Sequence, residues 1–171
     1  MSEVKLNYGL EQISNEAFYG AGINGTLIIP ESVTYIGNGA FEYTQCKEII
    51  FPQNLETISS FICNGSNVEN ITLPLNVKEI EHSAFYGTSI KEIHIPATIK
   101  KIGRDAFSSW QLNNVYCAAI NPPSIDVPVF DDEGVDENEL ITIFVPSESV
   151  DTYKSADGWS EYADYIVGYD F

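Results

Sequence analysis

Pro30, Pro52, Pro74 and Pro96 follow one another at intervals of 22 residues. Aligning the chain on them reveals a repeating unit, and few folds survive that constraint. An apolar residue opens each unit: Leu10, Val33, Leu55, Val77 and Ile99. Three positions later stands an isoleucine: Ile13, Ile36, Ile58, Ile80 and Ile102. An Ala-Phe pair follows at Ala17-Phe18, Ala40-Phe41, Ala84-Phe85 and Ala106-Phe107. Next come Ile23, Cys46, Val68, Ile90 and Leu112, and then an alternating apolar pair. Those pairs are Leu27/Ile29, Ile49/Phe51, Ile71/Leu73, Ile93/Ile95 and Val115/Cys117.

These spacings dictate local structure. An alternating pair with one face inward is a short strand. Proline ends it, because it cannot donate to a ladder. Gly20, Gly65 and Gly87 share one repeat position and mark a turn. No unit buries its apolar side alone, so the units must stack into a solenoid with a continuous core. The reading is one strand per repeat of about 22 residues, in a right-handed coil of parallel strands with a short helical cap.

The template also places the three cysteines. Cys46 takes an Ile/Val/Leu slot, Cys63 takes the slot of the ladder phenylalanine, and Cys117 is an inward strand residue. Each reads as a small buried hydrophobe rather than a reactive thiol. Phe61, two residues ahead of Cys63, is expected to swing inward and refill the vacated slot.

Residues 1–118 form the array, with a partial repeat at 1–9 and five full repeats from residue 10. Val4 and Leu6 match the inward pair, with Lys5 outward to guard an open edge. The chain thus starts in mid-repeat, either as a natural first rung or as a piece of a longer array. Residues 119–171 read as a divergent last repeat plus cap. Ile125, Val129-Phe130, Ile143 and Val145 keep the spacing around an acidic insertion at residues 131–139. Ser147 is expected to N-cap a helix with Glu148 and Asp151 in its first turn and Tyr153 on its buried face. Trp159, Tyr162, Tyr165 and Ile166 give the tail an apolar side.

Charge narrows the partners. The formal net charge is −17. Residues 119–171 hold 13 acids and one base, while residues 1–118 hold 12 acids and 7 bases. Such a balance disfavours nucleic acid and anionic lipid, most strongly at the cap. No apolar run approaches the ~18 residues that mark a membrane span, so no membrane insertion by this segment is expected. The first residues lack the pattern of a signal peptide.

The motifs resemble the BspA-like bacterial surface proteins, with leucine-rich repeats of the Treponema pallidum type. Val33 to Pro52 and Ile99 to Cys117 carry the hallmark of an opening apolar residue, Ile-Gly, Ala-Phe and a closing strand. Tyr116 to Ile125 and Val145 to Gly168 are similar to the terminal unit of Bacteroides-type members. The resemblance implies a leucine-rich repeat solenoid, an exported, surface or secreted location, and adhesion or ligand binding. A signal or lipoprotein segment would then be missing from this chain. It implies no catalytic residues.

Motifs for chemistry are sparse. There is no phosphate-binding glycine loop, no HExxH and no GxSxG elbow. His82 and His94 fall on different sides of the repeat, so neither a metal pair nor any other cofactor is implied. The acidic insertion has the composition of a calcium loop without the alternating ligand spacing, and a solvated loop is the simpler reading. The Asn-x-Ser/Thr triplets at Asn24, Asn64 and Asn70 are no more than chance allows.

The best candidate surface is the outward column of the strand ladder: Ile28, Ile50, Thr72, His94, Tyr116 and Phe144. Exposed apolar and aromatic residues in a row mark a contact surface, although such residues also suit strands without any ligand. The expectation is therefore a non-enzymatic module that binds an extracellular protein or glycan. The alternative is a spacer or terminal module of a longer surface protein with no ligand of its own.

Overall fold

A computed structural model of the chain describes residues 4–130 and 141–171. In chain order the strands begin with β1 (Gln12–Ile13), β2 (Gly25–Ile28), β3 (Tyr35–Ile36), β4 (Cys46–Ile50), β5 (Thr57–Ile58), β6 (Asn70–Thr72) and β7 (Glu79–Ile80). They continue as β8 (Glu92–Ile95), β9 (Lys101–Ile102), β10 (Asn114–Cys117), β11 (Ser124–Ile125), β12 (Thr142–Pro146) and β13 (Ile166–Tyr169). One α-helix, α1 (Val150–Ser155), stands between the last two. The solenoid of short parallel strands is as the repeat demands. It carries two strands per repeat, however, where one was expected. The second is the two-residue pair ending in the template isoleucine, too short to show alternation in a sequence.

Equivalent residues of successive repeats pair in parallel. Leu27, Ile49 and Ile71 lie in one register, and Ile93, Val115, Ile143 and Ile166 in another. Each of the four template prolines closes a turn through its carbonyl, which accepts from the N–H of Val33, Leu55, Val77 or Ile99. A third line of bonds runs along the Ala-Phe corner. Phe18, Phe41, Cys63, Phe85 and Phe107 each donate to a carbonyl of the following repeat, that of Ala40, Ile62, Ala84, Ala106 or Val129. The corner bends through left-handed backbone. Gly20, Gly65 and Gly87 have φ of 61°, 61° and 63°, and Tyr43 takes the same position at 55°. A left-handed residue also precedes each Ala-Phe slot, glycine only at Gly39.

Inside, Phe18 stacks on Phe41 at 5.5 Å, and Phe85, Phe107 and Phe130 form a second stack. Cys63 interrupts the series. Phe61 does not refill its slot: it sits half-buried with φ 56°, edge-on to His82 at 4.5 Å. Ile62, fully buried where other repeats have alanine, supplies the missing volume instead. All three cysteines are free and fully buried.

Two ladders are discontinuous around the third repeat. Among the described residues, the short strands divide into β1-β3 and β5-β7-β9-β11, and the long ones into β2-β4-β6 and β8-β10-β12-β13. At the first break, the Ser59 hydroxyl takes the Ile36 carbonyl. In other repeats that carbonyl accepts a backbone N–H, as from Gly37, Glu81 and Gly103. At the second break Ile71 is only partly buried, unlike its counterparts Leu27, Ile49, Ile93 and Val115.

The cap closes the core with Tyr153, Trp159, Tyr162 and Ile166, all buried. Tyr153 donates to the Ala119 carbonyl at 2.7 Å, and the Trp159 indole to the Pro123 carbonyl at 2.7 Å. Ser147 does not cap α1. It opens a 3-10 turn over Ser147–Ser149, and its hydroxyl donates to Asp170 at 2.8 Å. The tail ends in a strand, β13, where only an apolar side was anticipated. At the other end Val4 and Leu6 pack partly on the core without forming a strand. The acidic insertion at 131–139 lies outside the described residues.

Candidate functional site

The long strands carry every residue of the outward column. Ile28 pairs with Ile50, Ile50 with Thr72, His94 with Tyr116, and Tyr116 with Phe144. The structure thus assembles two segments, Ile28-Ile50-Thr72 and His94-Tyr116-Phe144, separated by the break between β6 and β8. Ile28, at 63% exposure, Thr72 and His94 face solvent, while Ile50, Tyr116 and Phe144 are half-buried.

The second segment is an aromatic stack. His94 and Tyr116 lie 4.5 Å apart with planes 5° from parallel, and Tyr116 and Phe144 lie 4.5 Å apart at 8°. The parallel register causes this, since the ladder spacing of about 4.8 Å is close to a ring-stacking distance. Tyr169 packs edge-on against both Tyr116 and Phe144, and Phe171 packs against Tyr169. These two residues escaped the sequence reading because β13 did. The signal was present: Val167 and Tyr169 alternate at the strand period, and Val167 pairs with Phe144.

Where β6 and β8 part, a cleft of about 340 Å³ opens beside the stack. Its walls include Ile71, Leu73, Leu75 and Phe171, with Thr72 and His94 on facing sides. Polar side chains flank the column two residues back on each strand. Thr26 donates to Glu48 at 2.7 Å, and Glu92 lies 3.5 Å from the His94 ring.

His82 lies apart from His94, near the Ala-Phe corner. It joins Ser60 and Glu81 in the constellation closest to an acid–base site. The Ser60 hydroxyl donates to the Glu81 carboxylate at 2.7 Å and stands 3.0 Å from His82 Nδ1. Its single proton is committed to Glu81, so Nδ1 must donate to Ser60, the reverse of what a nucleophilic serine needs. Burial pushes the Cys63 thiol well up and raises that of Cys117, the opposite of activation. Among the described residues no cluster of His, Cys, Asp and Glu has the geometry of a metal site.

Stacked 22-residue turns with a strand column on the outside define a leucine-rich repeat solenoid. The chain belongs to the BspA-type leucine-rich repeat family, whose sequence profile, a BspA type leucine rich repeat region in 6 copies, matches residues 1–134. No curated protein matches the chain. Among solved structures it is similar to a leucine-rich repeat protein from Bacteroides ovatus, at 17% identity and a TM-score of 0.52 over 82% of this chain and 48% of that one. It is also similar to a leucine rich cell surface protein from Faecalibacterium prausnitzii, at 20% identity and a TM-score of 0.51 over 84% of this chain and 54% of that one. At such identities the likeness establishes the fold alone. The chain spans about half the length of these two proteins. No helix among the described residues is long and apolar enough to cross a membrane.

Proposed function

We propose that this chain is a non-enzymatic module of an exported or cell-surface protein, and that it binds an extracellular protein or glycan through the outward column of its long strands. One observation carries the reading: His94, Tyr116 and Phe144 form an ordered aromatic stack on the outside of a molecule whose other stacked rings belong to or pack on its core. Surface rings held in register offer contact area at low entropic cost. Solenoids present such surfaces by geometry. The surface location draws on the family and on the similar Faecalibacterium protein, itself described as a cell surface protein. The net charge of −17 favours partners other than nucleic acid and anionic lipid.

The test is saturable binding of the immobilised protein to a panel of matrix proteins and glycans. It is repeated with the triple variant Ile50→Ser, His94→Ser, Tyr116→Ser. Binding that disappears in the variant while the melting temperature holds supports the column. Binding that survives removes it. A protein that binds nothing on either panel is a spacer.

A further inference from the structure

We propose that the cleft between β6 and β8 is a subsite for one uncharged pyranose ring, which stacks on the open face of His94 and takes the next place in the aromatic column. The proposal rests on the reading of that column as a binding surface.

The direction of the stack carries the argument. Its ring separations of 4.5 Å match the ladder spacing, so the ring faces point along the solenoid axis. Tyr116 has both faces covered, by His94 and Phe144. Phe144 has Tyr116 on one side and Val167 in register on the other. His94 has Tyr116 on one side only. On its other side the repeat places Thr72, which carries no ring, and there the strands do not pair. The side chain of His94 is 69% exposed. Its open face looks into the cleft, whose 340 Å³ falls at the lower end of the ~300–1,000 Å³ of small-ligand sites.

The chemistry around that face selects the ligand. Ile71, Leu73, Leu75 and Phe171 offer apolar walls. A pyranose has an apolar C–H face to set against a ring, and hydroxyls round its edge that need polar partners. The polar side chains of the lining are the Thr72 hydroxyl and the His94 imidazole, which an exposed Glu92 approaches to 3.5 Å. A wholly apolar side chain seated there would strip water from these groups without replacing its hydrogen bonds. Anionic sugars meet a protein of net charge −17.

The experiment titrates the whole chain with laminarihexaose, cellohexaose and mannohexaose, and with a heparin hexasaccharide as the anionic comparison, by calorimetry and saturation-transfer NMR. At least one neutral hexasaccharide binds saturably. His94→Ala weakens it roughly three- to tenfold, while His94→Phe, which keeps a ring face, retains it. Thr72→Phe lets the protein supply the missing ring and abolishes binding by occupying its place. Trp110→Ser, exposed but outside the column and the cleft, changes nothing. A neutral saccharide whose affinity is unmoved by His94→Ala and Thr72→Phe overturns the subsite. So does binding of heparin alone, or of a protein ligand with no saccharide. In that last case the column reading stands if Ile50→Ser, Tyr116→Ser impairs the protein ligand. Absence of any saccharide or protein ligand overturns both. All these positions are exposed or half-buried, so unchanged melting temperatures certify the variants.

Discussion

Ile62 and Cys63 show how one repeat departs from its template without losing its core. Elsewhere a small alanine precedes a large phenylalanine; here a large isoleucine precedes a small cysteine, and both residues are fully buried. Cys63→Phe alone is therefore expected to overfill the slot and destabilise the fold by about 1–3 kcal/mol. Adding Ile62→Ala should recover most of that loss by joining the two phenylalanine stacks. Urea denaturation of the two single variants and the double variant measures the coupling. Tyr153→Phe leaves the buried Ala119 carbonyl without its donor and should cost about 1–3 kcal/mol. Both Tyr153 and Cys63 hold their protons far beyond their ordinary ranges because burial penalises the charged forms. The unfolded chain releases these protons first, so the stability they confer is intact below the ordinary thiol value and shrinks as pH rises. Denaturation at stepped pH should show that decline beginning near pH 8.5 with the three buried thiols and steepening near pH 10 with Tyr153, each fully shifted group adding at most about 1.4 kcal/mol per pH unit.

Among elements, the long strands and the Ala-Phe corner were legible, and the short ladder was not. Ile49 and Phe51, or Ala40 and Phe41, repeat in both identity and spacing, so they declare themselves as inward. A strand such as Lys101-Ile102 shows only one of its two residues in the template, and no alternation fits in that length. Glycine holds this ladder close at two points, Gly37 against Asn15 and Gly103 against His82. A Cβ on Gly103 would fall 2.5 Å from the His82 nitrogen, which is backbone that cannot step aside cheaply. Gly103→Ala should force β7 and β9 apart, cost about 1–3 kcal/mol, and speed amide exchange at Gly103, whose N–H is bonded to the Ile80 carbonyl. The break between β6 and β8 was not legible either, because Ile71 and Leu73 fit the template as well as their neighbours do. The column of Ile28 to Phe144 could be named from register alone. Its division into an aliphatic and an aromatic segment, and the arrival of Tyr169 and Phe171 beside the latter, depend on where the tail returns.

At the scale of the molecule, charge is unevenly shared. The cap and its insertion hold 13 acids against a single lysine, Lys154. Repulsion within that end works against compactness, and screening relieves it. Raising salt from about 0.01 M to about 0.15 M shortens the Debye length from about 30 Å to about 8 Å. The melting temperature should rise by about 2–4 °C, the equivalent of about 1 kcal/mol for a chain of this size. Surface pairs such as Lys47–Glu69 and Lys78–Glu56 are half exposed and contribute little to begin with, so their screening offsets little of that gain.

The paired breaks in the ladders set how the molecule answers to force. A solenoid drawn out along its axis loads every seam between repeats in series, and each seam is pulled along its hydrogen bonds, so that it opens like a zipper rather than in shear. Most seams are sewn by two strand ladders and the Ala-Phe corner. The seam between β3 and β5 lacks the short ladder, and that between β6 and β8 lacks the long one. The third repeat is therefore bounded on both sides by the lightest stitching. Under tension, the first extension should come from its release, with the segments before and after it still folded.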